Sequence, residues 1–221
     1  MEHTVTIRSI EALTHDVKRY RCDRPAGYDF VPGQATEVSI DKEGWRNEAR
    51  PFSFTSLPDA PYLEFTIKSY RDHPGVSNEL DGLHPGDRLL IRDVWGAIEY
   101  KGPGYFIAGG AGITPFIAIF RQLHRQGRLA GNSLFFSNKS DRDIILEDEL
   151  SRMLGDCVRH VITGDAGSKH ANGYIDEAFL RTHVRDFGQH FYLCGPPGMV
   201  AALQATLAAL GANPDAVVFE K

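Results

Sequence analysis

Apolar and polar positions alternate with a period of two in four short stretches of the first hundred residues, 4–10, 36–40, 63–68 and 88–92. Each predicts a strand with one face turned to a core, and a shorter mixed stretch at 17–22 reads as a fifth. Turn residues separate them: Pro32-Gly33, Pro58-Asp59-Ala60-Pro61 and Pro85-Gly86-Asp87. Many short strands divided by Gly/Pro turns predict a small antiparallel barrel. One short helix fits inside it, over 77–83, with Ser77 as its cap.

From Gly104 the rhythm changes. Apolar strand patterns at 105–108, 133–137, 157–162, 190–194 and 216–219 alternate with helical patterns at 115–126, 146–154, 176–186 and 197–210. Phe116, Phe120 and Leu123 share one helical face, as do Val200, Leu203, Leu207 and Leu210. Asp176 suits an N-cap, and Gly127 and Gly211 suit helix ends. Repeated strand–helix units predict a doubly wound parallel sheet. The expected fold class is therefore all-β plus α/β: a barrel over 1–101, then a parallel α/β domain over 102–221. The boundary falls at Lys101-Gly102-Pro103-Gly104.

The stretch Gly109-Gly110-Ala111-Gly112-Ile113-Thr114-Pro115 joins the first of these parallel strands to its helix. Thr114 fits the N-cap and Pro115 the first helical position, which needs no backbone donor. A glycine turn opening a helix offers N–H groups and a positive dipole end to a phosphate, with Gly110 and Gly112 leaving the backbone bare. The alternative is a turn that only lets strand and helix pack closely. Ligands of open parallel sheets bind beyond the carboxyl ends of the strands. Two further segments lie at such ends, 137–142 and 194–199.

Composition narrows the classes. The chain has 221 residues, 42% of them hydrophobic, enough for a real core without staples. Its net charge is −5, from 24 basic and 29 acidic residues, with no basic tract. That argues against nucleic acid or an anionic membrane as partner. Cys22, Cys157 and Cys194 are scattered, whereas an iron–sulfur cluster usually takes four thiolates. Their odd count fits a reducing compartment. The first residues predict no signal peptide, and no apolar run approaches the ~20 residues of a membrane span. The nine histidines lack metal-ligand spacing, so no metal site is expected. These features predict a cytoplasmic protein, taken to be a monomer.

Four segments carry a family resemblance, in order: Arg50-Pro51-Phe52-Ser53, Gly75-Val76-Ser77, 109–115, and Cys194-Gly195-Pro196-Pro197-Gly198-Met199. The chain resembles the ferredoxin–NADP reductase superfamily, in particular its stand-alone flavodoxin/ferredoxin reductase-like members. The resemblance covers nearly the whole chain. It implies that Arg50 holds the FAD pyrophosphate, that Phe52 stacks on the isoalloxazine, and that Ser53 approaches flavin N5, with Pro51 between them. Phe52 stands where the family usually has Tyr, so a hydroxyl contact to the ribityl chain is lost. The segments with Ile67, Lys68 and Tyr70 and with Gly75, Val76 and Ser77 would hold the rest of FAD, Lys68 and Tyr70 near its adenosine half. FMN becomes the alternative if those adenosine contacts are absent.

For the second cofactor, NADPH or NADH, the resemblance gives Gly110, Gly112, Thr114 and Pro115 to the pyrophosphate turn. Cys194 would pack by the nicotinamide, with Gly195, Pro196 and Met199 behind it. The segment Ser137-Asn138-Lys139-Ser140-Asp141-Arg142 closes the second α/β strand, where an acid favours NAD and a cation NADP. Ser137, Lys139 and Arg142 lean towards NADPH and Asp141 against it. At the C-terminus, Glu220 is a further candidate beside the nicotinamide, with Phe219 as an aromatic at the flavin or a plain edge-strand residue. The implied activity is hydride transfer from NAD(P)H to FAD, then single-electron transfer to a separate ferredoxin, flavodoxin or oxygenase component. The alternatives are a flavin or ferric-chelate reductase, and a non-catalytic nucleotide-binding subunit.

Overall fold

The computed structural model describes residues 1–71, 74–96 and 98–219, with Pro214 and Phe219 described by backbone alone. The chain divides into two compact units, Met1–Gly96 with Thr114–Ile119, and Ala97–Ile113 with Phe120–Lys221.

The first unit is built on six antiparallel strands: β1 (His3–Ala12), β2 (Val17–Asp23), β3 (Ala35–Ile40), β4 (Arg50–Ser53), β5 (Tyr62–Lys68) and β6 (Arg88–Trp95). Their order is β4-β3-β6-β1-β2-β5. A bridge between Phe54 and Phe65 joins the two ends, so the sheet closes into the expected barrel. The period-two pattern explains the interior: Val5 and Ile7 of β1, Val38 and Ile40 of β3, Leu89 and Ile91 of β6 all point into one core. A short helix, α1 (Val76–Asp81), adds Val76 and Leu80 to it. Strand β5 departs from simple alternation, because Glu64 and Thr66 are buried too. Glu64 is tolerated there because Arg21 Nε and Thr55 Oγ1 donate to its two oxygens, at 2.9 and 3.0 Å.

The second unit holds six parallel strands: β7 (Gly104–Gly109), β8 (Ser133–Asn138), β9 (Val158–Ile162), β10 (Ala171–Asn172), β11 (His190–Cys194) and β12 (Val217–Phe219). Their order is β10-β9-β8-β7-β11-β12. The helices along this half of the chain are α2 (Thr114–Arg125), whose residues Thr114–Ile119 group with the first unit, α3 (Glu147–Leu154), α4 (Glu177–His183) and α5 (Pro197–Ala209). One sheet face, with Tyr105, Ile107, Phe135, Phe191 and Leu193, packs on Leu180 of α4 and Leu203 and Leu207 of α5. On the other face Phe106 lies between Tyr192 and Phe120 of α2, at ring separations of 4.2 and 4.6 Å. Asp176 caps α4 as expected, accepting the Phe179 N–H at 2.9 Å. Gly127 follows α2 with φ +66°, and its N–H and that of Arg128 close the helix on His124 and Leu123 carbonyls. Strand β10 was not visible in the sequence pattern. It is two residues long and both are exposed.

No helix among the described residues is long and apolar enough to cross a membrane.

Candidate functional site

Strand order reverses at β7, whose neighbours are β8 on one side and β11 on the other. This is the topological switch point at which open α/β sheets bind ligands, beyond the carboxyl ends of the strands. Residues 109–115 and 194–199 both arrive there. Gly109 pairs with Ser137 across β8, and Ala108 with Cys194 across β11. A Cβ on Gly109 would lie 2.6 Å from Met199 Sδ and 2.8 Å from Pro196 Cδ. One on Gly112 would lie 2.2 Å from the Cys194 carbonyl oxygen and 2.6 Å from Gly195 N. These two glycines therefore serve close packing, the second of the two readings open from the sequence. Gly110 differs: its φ is +52° and nothing lies within 4 Å of a Cβ placed there. Gly198, in the first turn of α5, is equally open. Gly110 and Gly198 thus leave backbone bare beyond the strand ends, and Cys194, the last residue of β11, is buried.

The helix start is shifted from expectation. Residues Gly110–Ile113 wind into a 3-10 turn that runs straight into α2, so Ile113 is the N-cap and Thr114 is already helical. Pro115 remains in the first turn, where its missing donor costs nothing.

At the end of β8, Ser137 is half-buried and Asn138 is buried, with neither amide atom of Asn138 paired among the described residues. Thr163 N–H donates to the Asn138 carbonyl and Gly164 N–H to that of Lys139, both at 2.9 Å, so the loop after β9 lies along this segment. Asp141 is occupied. Ser168 Oγ donates to its Oδ1 at 2.5 Å and Lys169 N–H to its Oδ2 at 3.2 Å. Those bonds, Ser168 first, hold its carboxyl below the usual range. Lys139 and Arg142 are exposed and have no ion-pair partner among the described residues. Ser168 could not be found from sequence, because no local pattern links residues 27 positions apart.

In the barrel, Arg50 is exposed, Phe52 is half-buried against the core, and Ser53 is buried. Pro51 is exposed too, so burial rises along the strand instead of alternating. Arg50 donates to the neighbouring Ala49 carbonyl at 2.7 Å, and no carboxylate pairs with it among the described residues. Ser53 pairs with Ala35 along β3, and its hydroxyl has no partner among the described residues. Ile67 is in the core, while Lys68 is committed to Asp16 at 2.9 Å. Tyr70 is exposed, and Ser69 between them has a buried hydroxyl without a partner among the described residues. The cap of α1 is Gly75, not Ser77, which sits one residue inside the helix after Val76. A Cβ on Gly75 would meet nothing within 4 Å. Glu220 lies outside the described residues.

Known proteins share this arrangement. Residues 4–100 match the model of the oxidoreductase FAD-binding domain, and residues 106–205 that of the oxidoreductase NAD-binding domain. NADH-cytochrome b5 reductase 1 of Eremothecium gossypii is 31% identical over 219 residues, 90% of this chain and 76% of that protein. The chain belongs to the ferredoxin–NADP reductase superfamily. Also 31% identical is the ferredoxin–NAD(P)+ reductase component of the naphthalene 1,2-dioxygenase/salicylate 5-hydroxylase systems of a Ralstonia species. That match covers 95% of this chain but 65% of the relative, so the chain spans just under two thirds of such a superfamily member. In fold it superposes on a Neisseria gonorrhoeae ferredoxin NADP+ reductase with bound FAD and NADP, with TM-score 0.86 and 21% identity over 99% and 98% of the two chains.

The residues present fit both of the superfamily's cofactors. For FAD the barrel offers the Arg50 guanidinium without a carboxylate and two hydroxyls without a partner among the described residues, and bare backbone at Gly75. For a dinucleotide the switch point offers bare backbone at Gly110 and Gly198. Both are anion-accepting features by the chemistry of their donors.

Proposed function

We propose that this chain takes a hydride from NADPH or NADH and hands the electrons on, one at a time, to a separate acceptor protein. Residues 1–101 hold FAD in this reading, and residues 102–221 the dinucleotide. The observation that carries it is the switch point, where the backbone of 109–112 approaches that of Cys194 and Gly195 too closely for a side chain between them. FAD, when bound, supplies the chemistry that accepts two electrons together and releases them singly.

The chain's own residues bind and orient. Arg50 neutralises the FAD pyrophosphate, a contact for which a planar guanidinium is suited. Phe52, half-buried, offers its ring for stacking, and Ser53 offers a hydroxyl without a partner among the described residues. Gly75, Val76 and Ser77 receive the rest of the FAD pyrophosphate at the start of α1. Gly110, Gly112, Thr114 and Pro115 shape the turn that receives the dinucleotide pyrophosphate, and Ser137, Asn138 and Lys139 line its adenosine end. Lys139 and Arg142 meet the 2′-phosphate when the dinucleotide is NADPH. Cys194, backed by Pro196 and Met199, packs against the nicotinamide and keeps water from it. Hydride transfer needs its atoms roughly 3–3.5 Å apart, so this packing bears on rate.

The acceptor is a ferredoxin, a flavodoxin or an oxygenase component. The names of curated relatives support this, among them reductase components of naphthalene dioxygenase and propane 2-monooxygenase systems. Turnover of ferricyanide by the purified chain with FAD and NADPH or NADH tests the activity. Sustained turnover is expected. A protein that keeps FAD yet shows no turnover is a binding subunit, and one that reduces ferric chelates faster than any protein acceptor is a small-molecule reductase.

A further inference from the structure

Four carboxylates around the end of β8, Asp141, Asp143, Glu147 and Asp165, are held by donors. Asp143 accepts from Ser140 N–H and Oγ at 2.9 and 2.6 Å, within one turn. Glu147 is held by Lys169 Nζ at 2.8 Å and by His170 Nε2 at 2.9 Å. Asp165 accepts Gly167 N–H at 2.9 Å. Asp141 stands three residues beyond the end of β8, on the segment where an acid would read a free ribose diol. Its clamp is the Ser168 hydroxyl, the shorter of two bonds, with the Lys169 N–H on the other oxygen. The hydroxyl of Ser168 accepts the His170 N–H at 2.9 Å, which directs its own proton to Asp141. Lys139 and Arg142, on the same segment, are left exposed.

We propose that Ser168 is a positioning residue for dinucleotide selectivity, because it ties Asp141 to the loop after β9 and leaves Lys139 and Arg142 to set the charge of the adenosine end. This rests on the reading of residues 102–221 as a dinucleotide site. Released, the Asp141 carboxylate becomes available to a ribose diol and repels a 2′-phosphate. One charge-assisted hydrogen bond made or broken at that end changes relative affinity by about tenfold or more.

The test compares kcat/KM for NADPH and NADH in the FAD-loaded protein, with ferricyanide as acceptor. Ser168→Ala lowers the NADPH-to-NADH ratio about tenfold, with the flavin spectrum unchanged. Ser168→Thr, which keeps the hydroxyl, holds the wild-type ratio. Adding Asp141→Asn to Ser168→Ala restores the ratio, because the effect runs through that carboxylate. Should Ser168→Ala fail to fold, Asp141→Asn alone carries the test. Its ratio stays at or above the wild-type value, and a fall overturns the proposal. An unmoved ratio in folded Ser168→Ala, or a fall that survives Asp141→Asn, also overturns it. A wild-type protein that oxidises neither dinucleotide fails the dinucleotide reading itself, and the proposal falls with it.

Discussion

Replacing Gly112 by Ala separates the packing role of the glycine turn from its conformational role. The added methyl carbon would stand 2.2 Å from the Cys194 carbonyl oxygen, 2.4 Å from its carbonyl carbon and 2.6 Å from Gly195 N. Ordinary contact begins near 3.4 Å, so turn and strand end must part by about an ångström. All three atoms are backbone, and no rotamer relieves the overlap. Five register pairs between β7 and β11 hold that backbone in place. Overpacking of this kind costs about 1–3 kcal/mol, and we expect the upper end. Gly110→Ala is the control. It meets open space but needs φ +52°, a strain of roughly 1–2 kcal/mol. Urea unfolding of both variants, with dinucleotide affinity read from flavin absorbance, gives the comparison. Gly112→Ala should lose about 3 kcal/mol and most dinucleotide affinity, because the displaced atoms are those of Cys194. The reasoning is refuted if Gly112→Ala is as stable as wild type, or if Gly110→Ala proves the more damaging.

Three further outcomes are expected. Tyr192 is fully buried; its hydroxyl accepts from Lys101 and Gly102 N–H at 2.9 and 3.0 Å and donates to the Gly102 carbonyl at 2.8 Å, so Tyr192→Phe should cost about 2–3 kcal/mol in urea unfolding. Burial pushes the His160 imidazole down to about 4, with His170 adding to the effect. The unfolded chain takes up that proton first, near pH ~6.5, so this contribution is complete above ~6.5 and is lost as pH falls towards 4. It amounts to about 2 kcal/mol by pH ~5, and stability measured against pH should flatten in His160→Leu. Arg50→Ala removes an exposed cation with no carboxylate partner among the described residues, so it should leave Tm nearly unchanged while weakening FAD binding about tenfold, as measured by flavin release on dilution.

The architecture was legible where the chain is periodic. Alternation in β1, β3 and β6 marked the barrel, and apolar strands followed by helical faces marked the parallel sheet. The site was legible only as far as its pieces are contiguous: 50–53, 109–115 and 194–199 each read as one segment. Two things stayed hidden for a physical reason. The winding of Gly110–Ile113 into a 3-10 turn moves the helix start by one residue, and no propensity distinguishes that from a free turn. Contacts such as Ser168 with Asp141, Lys68 with Asp16, or Tyr192 with the 101–102 peptide join residues far apart in sequence. Tertiary structure decides them.

The central claim is that this chain binds FAD and reduces it with a nicotinamide dinucleotide. Anaerobic titration of the purified protein with NADPH and with NADH, followed in the visible spectrum, tests it most directly. The purified protein should show oxidised flavin bands that bleach with about one equivalent of dinucleotide, as two-electron transfer requires. A protein that shows no flavin bands and takes up no added FAD, or whose bound flavin neither dinucleotide bleaches, contradicts it.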